Sequence, residues 1–262
     1  MLIRTWNLFH GNAVPPQREG FLNEMVRLAT ADDPDVLCLQ EVPAWELERF
    51  TAGDVAARPT IGPLPIPAEL GRRLTKTHHG LLRSAFSGQG NAIQVSSRVR
   101  VISHQALTLN PRRFRAAQSR ALELGPVGRL AWAKERRIVQ ALRLEEATGR
   151  TLLVANMHCT SHAADERLAD AELLRAAWFA VSTAAPEDIV VLAGDFNVRA
   201  GRSRTLHDLT TAEWGFSEPG PGIDHILVRG AAPSALRRWP DDQRKHGDRL
   251  LSDHAPVELD IP

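Results

Sequence analysis

The run Ile189–Asn197, IVVLAGDFN, ends an apolar stretch on Asp195 and Asn197. The arrangement recurs along the chain. Asn7 follows IRTW, Glu41 ends VLCLQE, His158 ends LLVANMH, Asp224 and His225 sit in GIDHILV, and Asp253 and His254 open the last strand in LLSDHAPVEL. Taken singly these are ordinary: Asp and Asn are common turn residues, and a lone His is more often structural. Convergence of all these tips would line one cavity with carboxylates, amides and imidazoles. Carboxylates held close repel one another, so such a cavity needs a cation or protons. Carboxylate and amide oxygens are hard ligands suited to Mg2+ or Mn2+, and Mg2+ keeps waters and meets substrate phosphate. Zinc is the alternative metal, because His158, Cys159 and His162 offer softer ligands, although the usual paired spacing is missing. A histidine beside a carboxylate suits proton transfer near neutral pH.

The elements that must position these groups are legible as alternating strands and helices. IRTWNLF reads as a strand, Pro16 to Ala29 as a helix with Pro16 in its opening turn, and VLCLQE as a second strand. NAIQVSS, VRVISHQALTL, RIVQALRL and TLLVANMH follow as strands, the last two joined through EEATGR as a hairpin. Residues Ala163 to Val181 are predicted to be helical, with Leu168, Ala171, Leu174, Trp178 and Val181 on the buried face. DIVVLAGDFN, GIDHILV and APVELDI complete the set, the last alternating as a strand with one wet face. The Pro-rich segment Arg58 to Arg73 reads as an irregular surface excursion. Many strands with few, long helices indicate an α+β fold, two packed sheets covered by helices, in one domain over residues 1–262.

Composition narrows the class. With 43% hydrophobic and 24% charged residues over 262 positions, the chain is globular, and no apolar run approaches the length of a membrane span. MLIRTWNLFHGN does not read as a signal peptide, and Cys38 and Cys159 provide no disulfide framework, so a cytoplasmic setting is expected. Net charge is only +1, yet Lys76, Lys134 and Lys245 are the only lysines among 32 basic residues. Arginine suits bidentate contact with phosphate, although a coding bias gives the same excess.

The motifs together resemble the endonuclease/exonuclease/phosphatase superfamily: TWN with Asn7, LQE with Glu41, NMH with Asn156 and His158, GDFN with Asp195 and Asn197, IDHI with Asp224, and SDH with Asp253 and His254, in that order. GNAI and the pattern Arg167, Asp170, Leu174 are similar to it as well. The resemblance implies a four-layer α/β/β/α sandwich, with two mixed sheets face to face, and metal-dependent hydrolysis of a phosphoester. It implies Glu41 as the principal Mg2+ or Mn2+ ligand with Asn7 beside it, and Asp253 holding the metal or its waters. Asp195 and Asn197 would activate water. His254 paired with Asp224 would transfer a proton or bind phosphate, and His158 would stabilise the oxyanion or assist the leaving group. Arg136 or Arg137 is similar to the family's phosphate-facing arginine, and Asn91 is either a second phosphate contact or a strand-start amide.

Departures bear on substrate. There is no tyrosine, and IDHI replaces the aromatic-rich stretch of the exonuclease III and abasic-site nuclease branch. The Cys-Asp-Arg signature of the inositol phosphatases is absent. What remains is a phosphodiester substrate, including nucleic acid, with a phosphomonoesterase and a non-catalytic binding module as the competing readings. The long connection between the strands ending near Leu109 and starting near Arg137 carries Arg112, Arg113, Arg115, Arg120 and Arg129. It is either a solvated surface element or a polyanion grip, with Phe114 or Trp132 available to stack on a base. No protein partner is implied.

Overall fold

The computed structural model describes residues 1–15, 20–50, 56–60, 88–162 and 165–262. One sheet has six strands: β1 (Leu2–Asn7), β3 (Val36–Pro43), β4 (Ala56–Thr60), β5 (Gln89–Val95), β11 (Arg237–Arg238) and β14 (Val257–Asp260), in the order β11-β14-β1-β3-β5-β4. The second has five: β6 (Val99–Thr108), β7 (Ile138–Glu146), β8 (Thr151–His158), β9 (Ile189–Asp195) and β10 (Asp224–Arg229), in the order β10-β9-β8-β7-β6. A small sheet of β2 (Ala13–Val14), β12 (Lys245–His246) and β13 (Arg249–Leu251) stands beside them. Helix α1 (Leu22–Ala29) packs its buried Leu22, Met25 and Ala29 with Trp6, Leu37 and Leu39 outside the six-stranded sheet. Helix α4 (Arg167–Thr183), with the short α5 (Arg204–Leu209), packs outside the five-stranded sheet. This is the four-layer arrangement.

Strand alternation decides what lies between the sheets. Ile3, Val36, Cys38 and Ile93 from one sheet meet Leu142, Leu144, Leu152, Val154, Val191, Ala193, Ile226 and Val228 from the other in one inter-sheet core. Their odd-numbered or even-numbered neighbours, such as Leu37, Leu39, Leu153, Ala155, Val190 and Leu192, serve the two outer cores instead. Counting on by twos along the inward faces gives Asn7, Gln40, Asn156 and Asp195, each buried. One end of the inter-sheet space is therefore polar by the same periodicity that makes the other apolar.

These polar residues tie the sheets together. Asn156 Nδ2 donates to Leu39 O at 3.0 Å and Ala92 O at 2.9 Å across the gap, while Gln40 Nε2 donates to Asn156 Oδ1 at 2.8 Å and Thr5 Oγ1 at 2.9 Å. Close approach matters at Gly194, where a Cβ would lie 2.0 Å from Met157 O and φ is +136°, so β9 meets β8 only with glycine there.

Several expectations are corrected. Helix α1 begins at Leu22, and Pro16 lies outside the described residues. Helix α4 begins at Arg167, and its buried face is Leu168, Ala169, Glu172, Leu173, Ala176, Ala177 and Ala180 rather than the stripe through Leu174 and Trp178. Alanines let the helix lie close to the sheet, whereas Trp178 stands 60% exposed and edge-on to Trp214 at 5.1 Å. The last strand has no wet face at Glu258, which is buried against the equally buried Arg4 at 2.6 Å. Residues 58–60 belong to β4, and the rest of the Pro-rich segment lies outside the described residues. The arginine-rich connection folds into α2 (Arg112–Ala121) and α3 (Pro126–Ala133), with Pro126 at the first turn of α3.

Asn156→Ala strips the buried Leu39 and Ala92 carbonyls and Gln40 of their partners. Urea unfolding should show a loss of about 3 kcal/mol or more, at about 1–3 kcal/mol per stranded buried group.

Candidate active site

Glu41 is even-odd out of step with the inward face of β3, and a bulge brings it back. The register with β5 shifts between Leu39 and Val42, and Glu41 takes φ +52°, so its side chain turns to the polar end. Its Oε1 faces His158 Nε2 at 3.8 Å, and its Oε2 lies 3.1 Å from His10 Nε2. Asp195 ends β9, paired across the ladders with His158 on one side and Asp224 on the other. Its Oδ2 accepts from Asn7 Nδ2 at 2.9 Å and its Oδ1 from the Asn197 backbone N–H at 3.0 Å. His158 Nε2 is 3.4 Å from Asp195 Oδ2. His254 Nδ1 donates to both Asp224 oxygens at 3.0 and 2.9 Å, leaving Nε2 at 3.9 Å from Asp195 Oδ2. Asn197, at φ +53°, donates its amide to Cys159 O at 3.0 Å. Ser252, at φ +63°, donates to Asn7 O at 2.6 Å and accepts from the His254 N–H at 3.0 Å, which joins the first strand end to the last loop.

Among the described residues, non-glycine positive φ occurs at Phe9, His10, Asp33, Glu41, Glu123, Asn197 and Ser252. All but Asp33 and Glu123 lie at or beside this cluster. Such conformations cost of order 1–3 kcal/mol each and concentrate where geometry serves function.

Electrostatics separate the roles of the two histidines. Arg137 Nη1 donates to His158 Nδ1 at 2.9 Å, and its Nη2 is held by Glu135 at 2.7 Å, itself bonded by Gln89 at 3.0 Å. A guanidinium has only donors, so His158 keeps its proton on Nε2, facing the acids. Burial and then Arg137 hold His158 well below the usual histidine range, so it is neutral. His254 is the opposite case: burial pulls it down, but Asp195 and Asp224 outweigh that and carry it up to about 10. Burial raises Glu41 to about 7 and, against the pull of His254, Asp195 to about 6.

These carboxyls bind protons tightly because burial strips their charge of water, and a divalent cation fits such a setting. The ligand atoms of Asp195, Asp224 and His254 all lie within 4.8 Å of one another. Glu41 stands outside that group and approaches it from the other sheet, 3.8 Å from His158 Nε2. The donors are mainly oxygens, suited to Mg2+ or Mn2+. The zinc alternative is not supported: Cys159 is buried in the outer apolar core behind β8, on the face away from His158.

Other expected residues fall at different distances. Asp253 is exposed, with Oδ1 at 3.9 Å from His254 Nε2. Asn7 turns its amide nitrogen to Asp195 and its oxygen to the Phe9 N–H at 3.0 Å. Arg137 is the arginine in the cluster, and Arg136 is exposed. Asn91 lies across from the Glu41 bulge, buried, donating to Ile138 O at 3.2 Å. Arg112 and Arg113 open α2, whose root is fixed to the site strand: Asn110 Oδ1 accepts from the Arg137 N–H at 2.9 Å and its amide donates to Glu135 O at 2.9 Å. Neither aromatic expected to stack on a base is placed for it. Trp132 is fully buried with its N–H on Glu172 at 2.5 Å, and Phe114 packs against Trp132 and under Arg175. Glu172 also accepts from Thr160 N and Oγ1 at 2.6 and 2.8 Å, linking α3 to the loop after His158. His10, Glu135, Glu172 and Ser252 were not singled out from sequence. Ser252 stood inside the SDH motif, and a His-Gly three residues after the strand-end Asn7 was the available signal for His10.

Comparison with known proteins agrees with this architecture. No curated protein matches the chain significantly. Solved structures with the same fold include a functionally unknown conserved protein from Enterococcus faecalis, at 19% identity and TM-score 0.67, covering 100% of this chain and 99% of that one. The human Nocturnin catalytic domain with bound sulfate follows at 18% identity and TM-score 0.60, covering 100% and 93%. D. rerio TDP2 complexed with a single-strand DNA product matches at 14% identity and TM-score 0.62, covering 99% and 97%. Residues 5–254 match the Endonuclease/Exonuclease/phosphatase family, and with this match over nearly its whole length the chain belongs to that family.

Proposed function

We propose that the protein is a divalent-metal-dependent phosphodiesterase that cleaves by in-line attack of water, with a nucleic-acid strand as substrate. The observation that carries the reading is the meeting of Glu41, Asp195, His158 and the Asp224–His254 pair in one cluster from both sheets. Glu41 would hold the cation, with Asn7 beside it and Asp253 on its waters. When bound, the ion supplies positive charge to the phosphate oxygens.

The protein's own groups divide the remaining work. Asp195 is ionised at neutral pH yet proton-hungry, the property required of the base that takes the proton of the attacking water. Asn197 orients that water. His254 is already cationic and fixed by Asp224, so its Nε2–H donates to a phosphate oxygen rather than accepting a proton. His158, neutral with its proton on Nε2, donates to the developing oxyanion, backed by Arg137. Asn91, Arg136, Arg112 and Arg113 would meet the flanking phosphates, with the two α2 arginines carried on a root shared with Arg137. That a protein of the same fold, D. rerio TDP2, has been solved with a single-strand DNA product supports a nucleic-acid strand as the substrate class.

The chemistry is tested with bis-p-nitrophenyl phosphate, p-nitrophenyl phosphate, and single- and double-stranded DNA and RNA in Mg2+ or Mn2+. Diester cleavage abolished by EDTA, and lowered about 10²–10⁴-fold in Asp195→Asn and His254→Ala, is expected. Turnover of the monoester alone would instead make it a phosphomonoesterase.

Arginine contacts to phosphate release counterions. Arg112→Ala/Arg113→Ala should lower the slope of log binding against log salt by about 0.7 per lost contact on single strands. An unchanged slope would remove α2 from the substrate path.

Glu41 and Asp195 hold protons more tightly folded than unfolded. Without metal, their contribution to stability is therefore present at low pH and lost as pH rises through about 6 to about 7. The cation needs Glu41 ionised, so excess MgCl2 should raise the thermal midpoint more at about pH 8 than at about pH 5. Equal shifts would argue against Glu41 as the binding group.

A further inference from the structure

The two oxygens of Glu41 have different surroundings. Oε1 opens toward His158 Nε2, which in turn stands 3.4 Å from Asp195 Oδ2. Oε2 faces away from them, at 3.1 Å from His10 Nε2. The His10 side chain is only 6% exposed, and the backbone around it is shaped for this contact. Phe9, His10 and Gly11 are consecutively left-handed, at φ +46°, +55° and +78°. The turn is closed by Gly11 N–H to Leu8 O at 2.7 Å and Asn12 Nδ2 to Phe9 O at 2.6 Å. Its entry is held by Asn7 Oδ1, which accepts from the Phe9 N–H at 3.0 Å. Left-handed turn positions ordinarily go to Gly, Asn or Asp. Histidine is also enriched there, and at the middle position its ring reaches Glu41 Oε2.

A carboxylate binds a cation through one oxygen or through both. Mg2+ demands near-ideal octahedral geometry at about 2.0–2.1 Å, whereas Ca2+ takes about 6–8 oxygens at longer distance and uses bidentate carboxylates freely. We propose that His10 is a specificity-determining residue of the cation site. By donating to Oε2 it leaves Oε1 as the one Glu41 oxygen for an ion, and so favours Mg2+ over Ca2+. The inference rests on the proposed role of Glu41 in holding the cation. His10 acts through Glu41 and is a positioning residue.

The test is isothermal titration of the metal-free protein with MgCl2 and, separately, CaCl2. Wild type, His10→Asn and His10→Gln are compared, with thermal melts to confirm folding. Asn is at home in left-handed backbone but is too short to reach Oε2, and His10→Gly reads the same loss should the Asn variant not fold. Gln places an amide N–H near the position of Nε2. His10→Asn is expected to shift the Ca2+/Mg2+ affinity ratio toward Ca2+ by about tenfold, within the range for groups that orient metal ligands, and His10→Gln to keep the wild-type ratio. An unchanged ratio in both His10→Asn and His10→Gly, with Mg2+ still bound by wild type, overturns this inference and leaves the phosphodiesterase reading intact. A wild-type protein that binds neither ion overturns the cation site itself and this inference with it.

Discussion

Between the two sheets every second residue of each central strand points inward, and the whole molecule follows from where that inward row changes character. Along β8 it runs Leu152, Val154, Asn156, and along β9 Val191, Ala193, Asp195. The apolar part needs only burial. The polar part needs partners, because a buried amide or carboxylate without one costs more than its burial returns. Asn156 and Gln40 meet that need by bonding across the gap, which sets the two sheets at one relative position. Asp195 meets it with Asn7 and the Asn197 N–H, and Asp224 with His254. The candidate site is thus the end of the core rather than an addition to it.

Charge imposes the second condition. Glu41, Asp195 and Asp224 share a space closed to bulk water on most sides, and the fixed cations there, Arg137 and His254, are each already committed to a carboxylate. Burial first, and the neighbouring acids after it, raise the proton affinity of Glu41 and Asp195, a setting suited to an external positive charge. Left-handed backbone at Glu41, Asn197 and Ser252 holds the groups in place against that repulsion.

Much of this was legible in the chain because it depends on short-range pattern. Asp195 and Asn197 stand where an apolar run stops, and Asp224 sits within another, so strand ends and polar tips could be read together. What could not be read depends on partners far away. Arg137 and Arg136 are adjacent and chemically alike, and only the position of His158 separates them. Trp132 looked available until Glu172, on another helix, took its N–H. The α4 face was misjudged because large side chains dominate a hydrophobic stripe, whereas close seating on a sheet selects alanine. His10 was missed because its reach comes from consecutive left-handed residues, and no periodicity announces those.

The closure of the first strand against the last carries a consequence for when these groups come together. Asn7 bonds Asp195 across 188 positions, Ser252 bonds Asn7 across 245, the Trp6 indole bonds His254 O across 248, and Arg4 meets Glu258 across 254. Contacts so remote in sequence are slow to form, because the loop-closure entropy is paid first. A chain still emerging, or nicked before its last strand has docked, holds the acids of the central strands but not the imidazole that completes them. Assembly of the candidate site is thereby tied to completion of the fold.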